Sequence, residues 1–405
     1  MQNDFLARQN PRVVHLSFSS TGGAGTVATR LSQIQVERGL NSRVQHLIDG
    51  SLYENLLSHP IRAGVAAIDS SLVRKTGFMG PVSALRDKMA AGLSSALREA
   101  DIVHVHWING YADLHELAKI AQSKAVVWTL HDMNPFTGTC HYSLGCNRFM
   151  DQCNKCPAVN SAFEHLVRSN QRRKREFFSS LESASIVSPS RWLAKVARES
   201  SALRGRDIEV IANPLPNSLP KLSTRSRARD QLAIAKEVKT VFLASAAHIS
   251  DRTKAIHEVI ESFSAAFGER SDVLLLIAGR GRGVDQGNVR HLGYLNQTDY
   301  IAALEASDYF VVSSLAENQP LAVAEAQAMG VSLIARNTSG LPEMLDIDSN
   351  GLLYGGGLSL GKALLEAHEK RISDGDRKEL SGMARSKFSP DLISAAYEEV
   401  YSSLL

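Results

Sequence analysis

The sequence has 405 residues, 44% of them hydrophobic and 21% charged, with a net charge of +3. That length exceeds one ordinary core and suits two domains of roughly 200 residues, and so small a net charge gives no support to general nucleic-acid binding. No apolar run approaches the ~18 residues of a spanning helix, and the polar start, Met1 to Arg12, lacks the apolar core of a secretory signal, so a cytoplasmic setting is expected.

Val13 to Phe18 reads as a buried strand running into Ser19-Ser20-Thr21-Gly22-Gly23-Ala24-Gly25. A helical pattern follows from Thr26 to Arg38 and stops at Gly39. Strand, glycine-rich turn and helix make the opening half of a βαβ unit. Arg43–Ile48 suits the next strand, and two helices are read between Asn55 and Ala100 around a break at Gly77–Pro81. Asp101–Trp107 and Ala125–Leu130 read as strands with a helix between them over about 112–122. His131–Pro157 has little periodicity and holds all four cysteines, which marks a long functional loop. A basic helix over about 162–180, a strand at Ser183–Val187, a helix at Arg191–Glu199 and a strand at Ile208–Ile211 complete the first half.

Asn213-Pro-Leu-Pro-Asn-Ser-Leu-Pro220 breaks every pattern, because its three prolines continue neither a helix nor a central strand. The alternation then restarts, with strands at Thr240–Ala244, Val273–Ile277, Tyr309–Val312 and Ser332–Ala335. Helices are read at Ala255–Phe267, Tyr300–Glu305, Leu321–Met329 and, at the end, Pro390–Leu405. The expected organisation is an α/β chain of two doubly wound parallel sheets. Residues 1–212 form one Rossmann-like domain, 213–238 a linker region, 239–388 a second Rossmann-like domain, and 389–405 a helix crossing back to the first. Ligands in such sheets bind at the carboxyl ends of the strands, so a cleft between the domains is the expected site.

In the second half, Ser313-Ser-Leu-Ala-Glu317-Asn318-Gln319-Pro320-Leu321 follows a strand and opens a helix that carries Glu325. Pro320 suits a first helical turn, and carboxylates at this spacing can grip the hydroxyl pairs of two sugars. Taken alone, the spacing also fits a dipole-favoured Glu at a helix start and a second Glu on the surface. The fuller run, Glu-Asn-Gln-Pro through Glu-Ala-Gln-Ala-Met-Gly, then Ser339-Gly-Leu-Pro-Glu343 and Asn350-Gly-Leu-Leu353, resembles the nucleotide-sugar site of family-4 retaining glycosyltransferases. The resemblance covers most of residues 240–355 and implies the GT-B fold. It makes the first domain the acceptor side and the second the nucleotide-sugar domain. By that likeness Glu317 contacts the donor sugar and Glu325 the ribose. Asn318, Gln319, Pro320 and Leu321 offer backbone N–H groups to the diphosphate, as anions favour helix starts. The family's basic pair falls in Ala247-His-Ile-Ser-Asp-Arg252-Thr-Lys254: Lys254 matches its lysine, while His248 stands near the usual arginine position and Arg252 is the substitute. Fixed cations there would stabilise the leaving diphosphate. Gly22, Gly23 and Ala24 match a Gly-Gly-Ala turn that faces the same diphosphate; packing alone is the alternative for such a turn.

His106 and His131 end strands, where a histidine can orient reacting hydroxyls. The run Thr129-Leu-His131-Asp resembles the family's segment beside the donor sugar, which implies a catalytic part for His131; His106 and Asn134 go to the acceptor side. His104 lies deeper on the same strand face as His106 and reads as structural. Cys140, Cys146, Cys153 and Cys156 fall within seventeen residues, which leaves three readings open: a structural zinc, two disulfides, or free buried thiols. The surrounding loop resembles a polysaccharide-assembly branch of the family with a similar Cys-rich loop. The basic helix carries His165, Arg168, Arg172, Arg173, Lys174 and Arg175, with Arg62, Arg74 and Lys75 in another stretch. Such a face either is simply solvated or meets anionic lipid; with no aromatic interleaving it does not read as a nucleic-acid surface.

The expected activity is retaining transfer of a sugar from a nucleotide-diphosphate sugar to a glycan or lipid-linked acceptor, with no metal required for catalysis. The rivals are a GT-B nucleotide-sugar epimerase or phosphorylase and a non-catalytic nucleotide-sugar-binding subunit.

Overall fold

Val13, Val14 and Leu16 are buried on both faces of β1 (Arg12–Ser19), as a central parallel strand requires. The computed structural model describes residues 10–48, 79–83, 97–109, 112–181, 183–283 and 285–405. The helices read between Asn55 and Ala100, and Arg62, Arg74 and Lys75, lie almost wholly outside these residues.

After β1 come α1 (Gly22–Glu37), β2 (Asn41–Ile48), β3 (Ile102–Val105), α2 (Leu114–Ala121), β4 (Ala125–Thr129), α3 (Glu164–Ser180), β5 (Ala184–Ser188), α4 (Arg191–Glu199) and β6 (Ile208–Val210). The described strands pair in parallel in the order β2-β1-β3-β4-β5-β6. The order reverses between β1 and β3, a topological switch point at which doubly wound sheets bind ligands. The glycine-rich segment is part of α1 rather than a turn before it. One glycine has a steric reason: a Cβ on Gly25 would sit 2.0 Å from the Ser19 carbonyl oxygen, so α1 approaches the end of β1 this closely only without a side chain.

The second set runs α5 (Arg225–Gln231), β7 (Thr240–His248), α6 (Ile256–Phe267), β8 (Val273–Arg280), β9 (Val289–Gly293), α7 (Gln297–Ala306), β10 (Tyr309–Val312), α8 (Leu321–Ala328), β11 (Ser332–Arg336), α9 (Leu341–Met344), β12 (Leu352–Tyr354), α10 (Leu360–Lys370), α11 (Asp374–Lys387) and α12 (Pro390–Leu404). Its sheet order is β12-β11-β10-β7-β8-β9, the Rossmann order with its switch point between β7 and β10. The short strands β9 and β12, and helices α5, α10 and α11, do not stand out in the sequence pattern.

The chain divides into one unit running to Asn217 and resuming at Pro390–Leu405, and a second over Ser218–Ser389. The 213–238 stretch is therefore not linker throughout. It carries helix α5 over Arg225–Gln231, while its proline-rich start and residues 232–238 have neither helix nor strand. In α5, Arg225 and Arg229 both pair with Asp308, a buried carboxylate that also accepts from the Val241 N–H at 2.7 Å. Two guanidiniums are needed to hold that buried charge, and they bind α5 into the second unit. In the first unit, α12 buries Ile393, Tyr397, Val400 and Tyr401, and Glu398 takes Arg38 of the α1 C-terminus at 2.7 and 3.2 Å. Among the described residues no helix is long and apolar enough to cross a membrane.

Candidate active site

In the second unit, the loops leaving β7 and β10 sit on either side of the switch point, and each supplies one charged group. Lys254 Nζ lies 2.5 Å from Glu317 Oε1. Burial works against the ammonium, but Glu317 outweighs it and raises the Lys254 pKa above its ordinary value. The two loops are tied together beneath this pair. Ser313 Oγ donates to the carbonyls of Lys254 (2.7 Å) and Ala255 (3.0 Å), and Leu315 N–H donates to Thr253 O at 2.8 Å. Ala255 is held at φ 50°, a left-handed conformation that a non-glycine residue keeps only when its surroundings impose it.

The Ser-Gly-Leu-Pro-Glu run supports the acid loop from behind. Gly340 N–H donates to Glu317 O at 2.9 Å, and a Cβ on Gly340 would lie 1.9 Å from Asn318 O. Asn318 and Gln319 are buried, Pro320 caps α8, and no side chain caps the helix start. Its first N–H groups and the positive end of the helix thus stand beside Glu317 and Lys254. Glu325 is half-buried on α8, close enough to Tyr300 to add to the burial that raises the phenol's pKa. Arg252 is exposed, and it is Lys254 that makes the ion pair with Glu317.

In the first unit, Gly22 and Gly23 are exposed and Ala24 half-buried in the first turn of α1, which also lacks a side-chain cap. Behind it lies a set of imidazoles that the sequence reading only partly sees. His15 of β1 pairs in register with His104 of β3. His15 Nδ1 lies 3.0 Å from His106 Nε2, and His106 Nδ1 lies 2.9 Å from His131 Nε2. His106 is 2% exposed, with both nitrogens committed to other histidines. Burial lowers the pKa of all four histidines, to about 4 for His15 and His131. Asn134 is likewise an interior residue. It is buried, its Nδ2 donates to Thr139 O, and its Oδ1 accepts from Asn109 and Lys174. It staples the long loop.

The four cysteines are free and line one cavity of about 20 Å³ together with Phe149 and Val167. The Cys140 S–H donates a hydrogen bond to Cys156 Sγ, a contact that pushes Cys156 down to about 7, helped by the Ala158 and Val159 N–H groups; burial pushes Cys153 up to about 11. Among the described residues, His15, His104 and His106 form the one group of three or more potential ligands whose atoms lie within 4.8 Å of one another. The basic helix also divides. Arg173 pairs with Asp113 at 3.2 Å, and Lys174 donates to the carbonyls of Asn134 and Thr137, both anchoring the first unit. His165, Arg168, Arg172 and Arg175 remain on an open groove of about 520 Å³.

Two parallel Rossmann sheets, the second with its charged pair at the switch point, make this a GT-B protein. Residues 239–370 match the family described as Glycosyl transferases group 1, a span running from β7 to the end of α10. The chain is 24% identical over 342 residues to the putative colanic acid biosynthesis glycosyl transferase WcaC of Escherichia coli (strain K12), covering 80% of this chain and 82% of that one. It is 24% identical over 417 residues to the N-acetyl-alpha-D-glucosaminyl L-malate synthase of Bacillus anthracis, with 96% of each covered. Anabaena HepE in complex with UDP and glucose is similar in fold, with a TM-score of 0.63 at 17% identity over 97% of this chain and all of that one.

Proposed function

We propose that this protein is a retaining glycosyltransferase that takes a sugar from a nucleoside-diphosphate sugar and places it on a glycan or lipid-linked acceptor in cell-surface polysaccharide assembly. The observation that carries the reading is the Lys254–Glu317 pair at the switch point, beside the uncapped start of α8. A sugar diphosphate suits that arrangement. The helix start and Lys254 take the charge that grows on the leaving diphosphate, Glu317 meets the donor sugar, and Glu325 the ribose. The acceptor hydroxyl attacks on the face the diphosphate leaves, so the anomeric configuration is kept. The UDP complex of HepE and the name of WcaC favour a UDP-sugar and a polysaccharide acceptor as the first to be tried. The groove lined by Arg168, Arg172 and Arg175 suits the anionic head groups of a membrane that carries a lipid-linked acceptor.

Thermal-shift screening with UDP-, GDP-, ADP- and dTDP-sugars identifies the donor, since a bound ligand stabilises the fold by mass action. Incubation of that donor with lipid-linked and glycan acceptors then tests transfer, and NMR of the product gives the anomeric configuration. Donor hydrolysis without transfer, or an inverted product, would refute the proposal.

A further inference from the structure

We propose that Gln35, acting through His15 and His106, fixes which ring nitrogen of His131 carries the proton, and so acts as a positioning residue for transfer. The inference rests on the proposed sugar transfer and on the family likeness that implies a catalytic part for His131.

The chain of reasoning begins at the far end. Gln35 Nε2 donates to the Tyr401 hydroxyl at 3.0 Å, so the amide oxygen faces His15 and accepts from its Nε2–H at 2.9 Å. Burial keeps His15 neutral at pH 7, with a pKa of about 4. A neutral imidazole has one N–H, so His15 Nδ1 is a lone pair, and His106 Nε2, at 3.0 Å, must be the donor to it. His106 is buried and neutral in turn, which makes its Nδ1 an acceptor for His131 Nε2–H at 2.9 Å. His131 is thereby the Nε2–H tautomer, and its Nδ1 is the ring's acceptor.

A second branch holds the same order. Tyr401, already an acceptor from Gln35, gives its own proton to His104 Nδ1 at 2.7 Å. His104 Nε2–H then donates to Thr129 Oγ1 at 2.8 Å, and Thr129 lies 2.9 Å from the Tyr397 hydroxyl. Reversing one link means turning the Gln35 amide and both branches together, so the two ends act as one degree of freedom. The same imidazoles are poorly arranged for a metal. His104 and His106 stack at 4.3 Å with 25° between planes. Each nitrogen of His15, His104 and His106 already has a hydrogen-bond partner.

The test is long-range 1H–15N NMR on full-length protein with 15N-labelled histidine. In the wild type, His15, His106 and His131 should all be Nε2–H tautomers. Gln35→Met, which removes both amide contacts, and Tyr401→Phe, which keeps the ring and frees the amide, should each turn His131 into a tautomer mixture. With the donor found by thermal shift, kcat in Gln35→Met should fall about tenfold or more with donor KM unchanged. In a His131→Ala background the same substitution should cost nothing further, as a purely structural role would not predict. A wild-type His131 protonated on Nδ1, or tautomers unmoved in both variants, overturns the proposal. Tautomers that respond while transfer does not would uphold the relay and remove His131 from the reaction.

Discussion

Acidification should unfold the first unit well before its carboxylates titrate. His15 and His131 have pKa values of about 4 in the folded protein against 6.5 for the free side chain, because burial penalises the charged ring. A histidine depressed in this way contributes fully above about pH 6.5 and loses its contribution as pH falls toward 4, the range in which only the unfolded chain takes up protons. Between pH 8 and pH 5 the loss is about 2 kcal/mol per histidine, or ~4 kcal/mol for the two. His104 and His106 are lowered further by burial and add in the same direction. In Asp132, burial opposes the charge, but His141 and the Asn134 N–H outweigh it and hold the pKa below the usual range, outside this window. Burial raises Glu209 and so works the other way, one exposed carboxylate of β6 against four imidazoles. Trp107, Trp128 and Trp192 are the chain's three tryptophans and all lie in the first unit, so their fluorescence follows it alone. With a urea m-value of ~2 kcal/mol/M, the midpoint should fall by ~2 M between pH 8 and pH 5. A midpoint constant to within half a molar would refute the account of four neutral buried histidines.

Glu317→Gln should reduce transfer by about 100-fold or more, while urea unfolding stays within ~1 kcal/mol of wild type because Lys254 is partly solvated; full residual transfer would exclude Glu317 from the reaction. Gly340→Ala places a methyl against Asn318 O and should displace the acid loop, weakening donor affinity with an unchanged circular dichroism spectrum; isothermal titration with the donor checks it. Deleting Pro390–Leu404 removes four large buried side chains at roughly 1.5–3 kcal/mol each, comparable to the whole stability of a domain, so tryptophan fluorescence should report an unfolded first unit. Replacing Arg168, Arg172 and Arg175 with Glu should abolish sedimentation with phosphatidylglycerol vesicles and leave the circular dichroism spectrum unchanged; retained binding removes the groove from any membrane role.

The alternation of strand and helix was legible because central parallel strands are continuous apolar runs. Tyr309–Val312 and Arg191–Glu199 have the same bounds in sequence and structure. The edge strands β9 and β12 were not: Val289–Gly293 is largely half-exposed and Leu352–Tyr354 has three residues, so neither shows a buried run. Helix α5 was hidden for a different reason. Its Arg-Ser-Arg-Ala-Arg sequence reads as polar linker, and only the buried Asp308, more than seventy residues away, explains why two of those arginines are ordered.

The candidate site divides along the same line. Glu317, Asn318, Pro320 and Gly340 fall in one short stretch of chain, where a family resemblance can be read. The histidine network has no local signature, since Gln35, His15, His106, His131 and Tyr401 come from α1, β1, the ends of β3 and β4, and α12. What joins them is sheet register: His15 stands opposite His104 in the pairing of β1 with β3, which brings two distant strand histidines into one layer at the switch point. A strand with one inward histidine is common, but two adjacent parallel strands presenting three to the same face bury six ring nitrogens that all need partners. Gln35 and Tyr401 meet that requirement, and they do so from the two helices α1 and α12 that the Arg38–Glu398 pair clamps together. The last helix is thus bound to the first by more than apolar packing: its tyrosines complete the hydrogen bonding of the layer on which the site of the first unit is built.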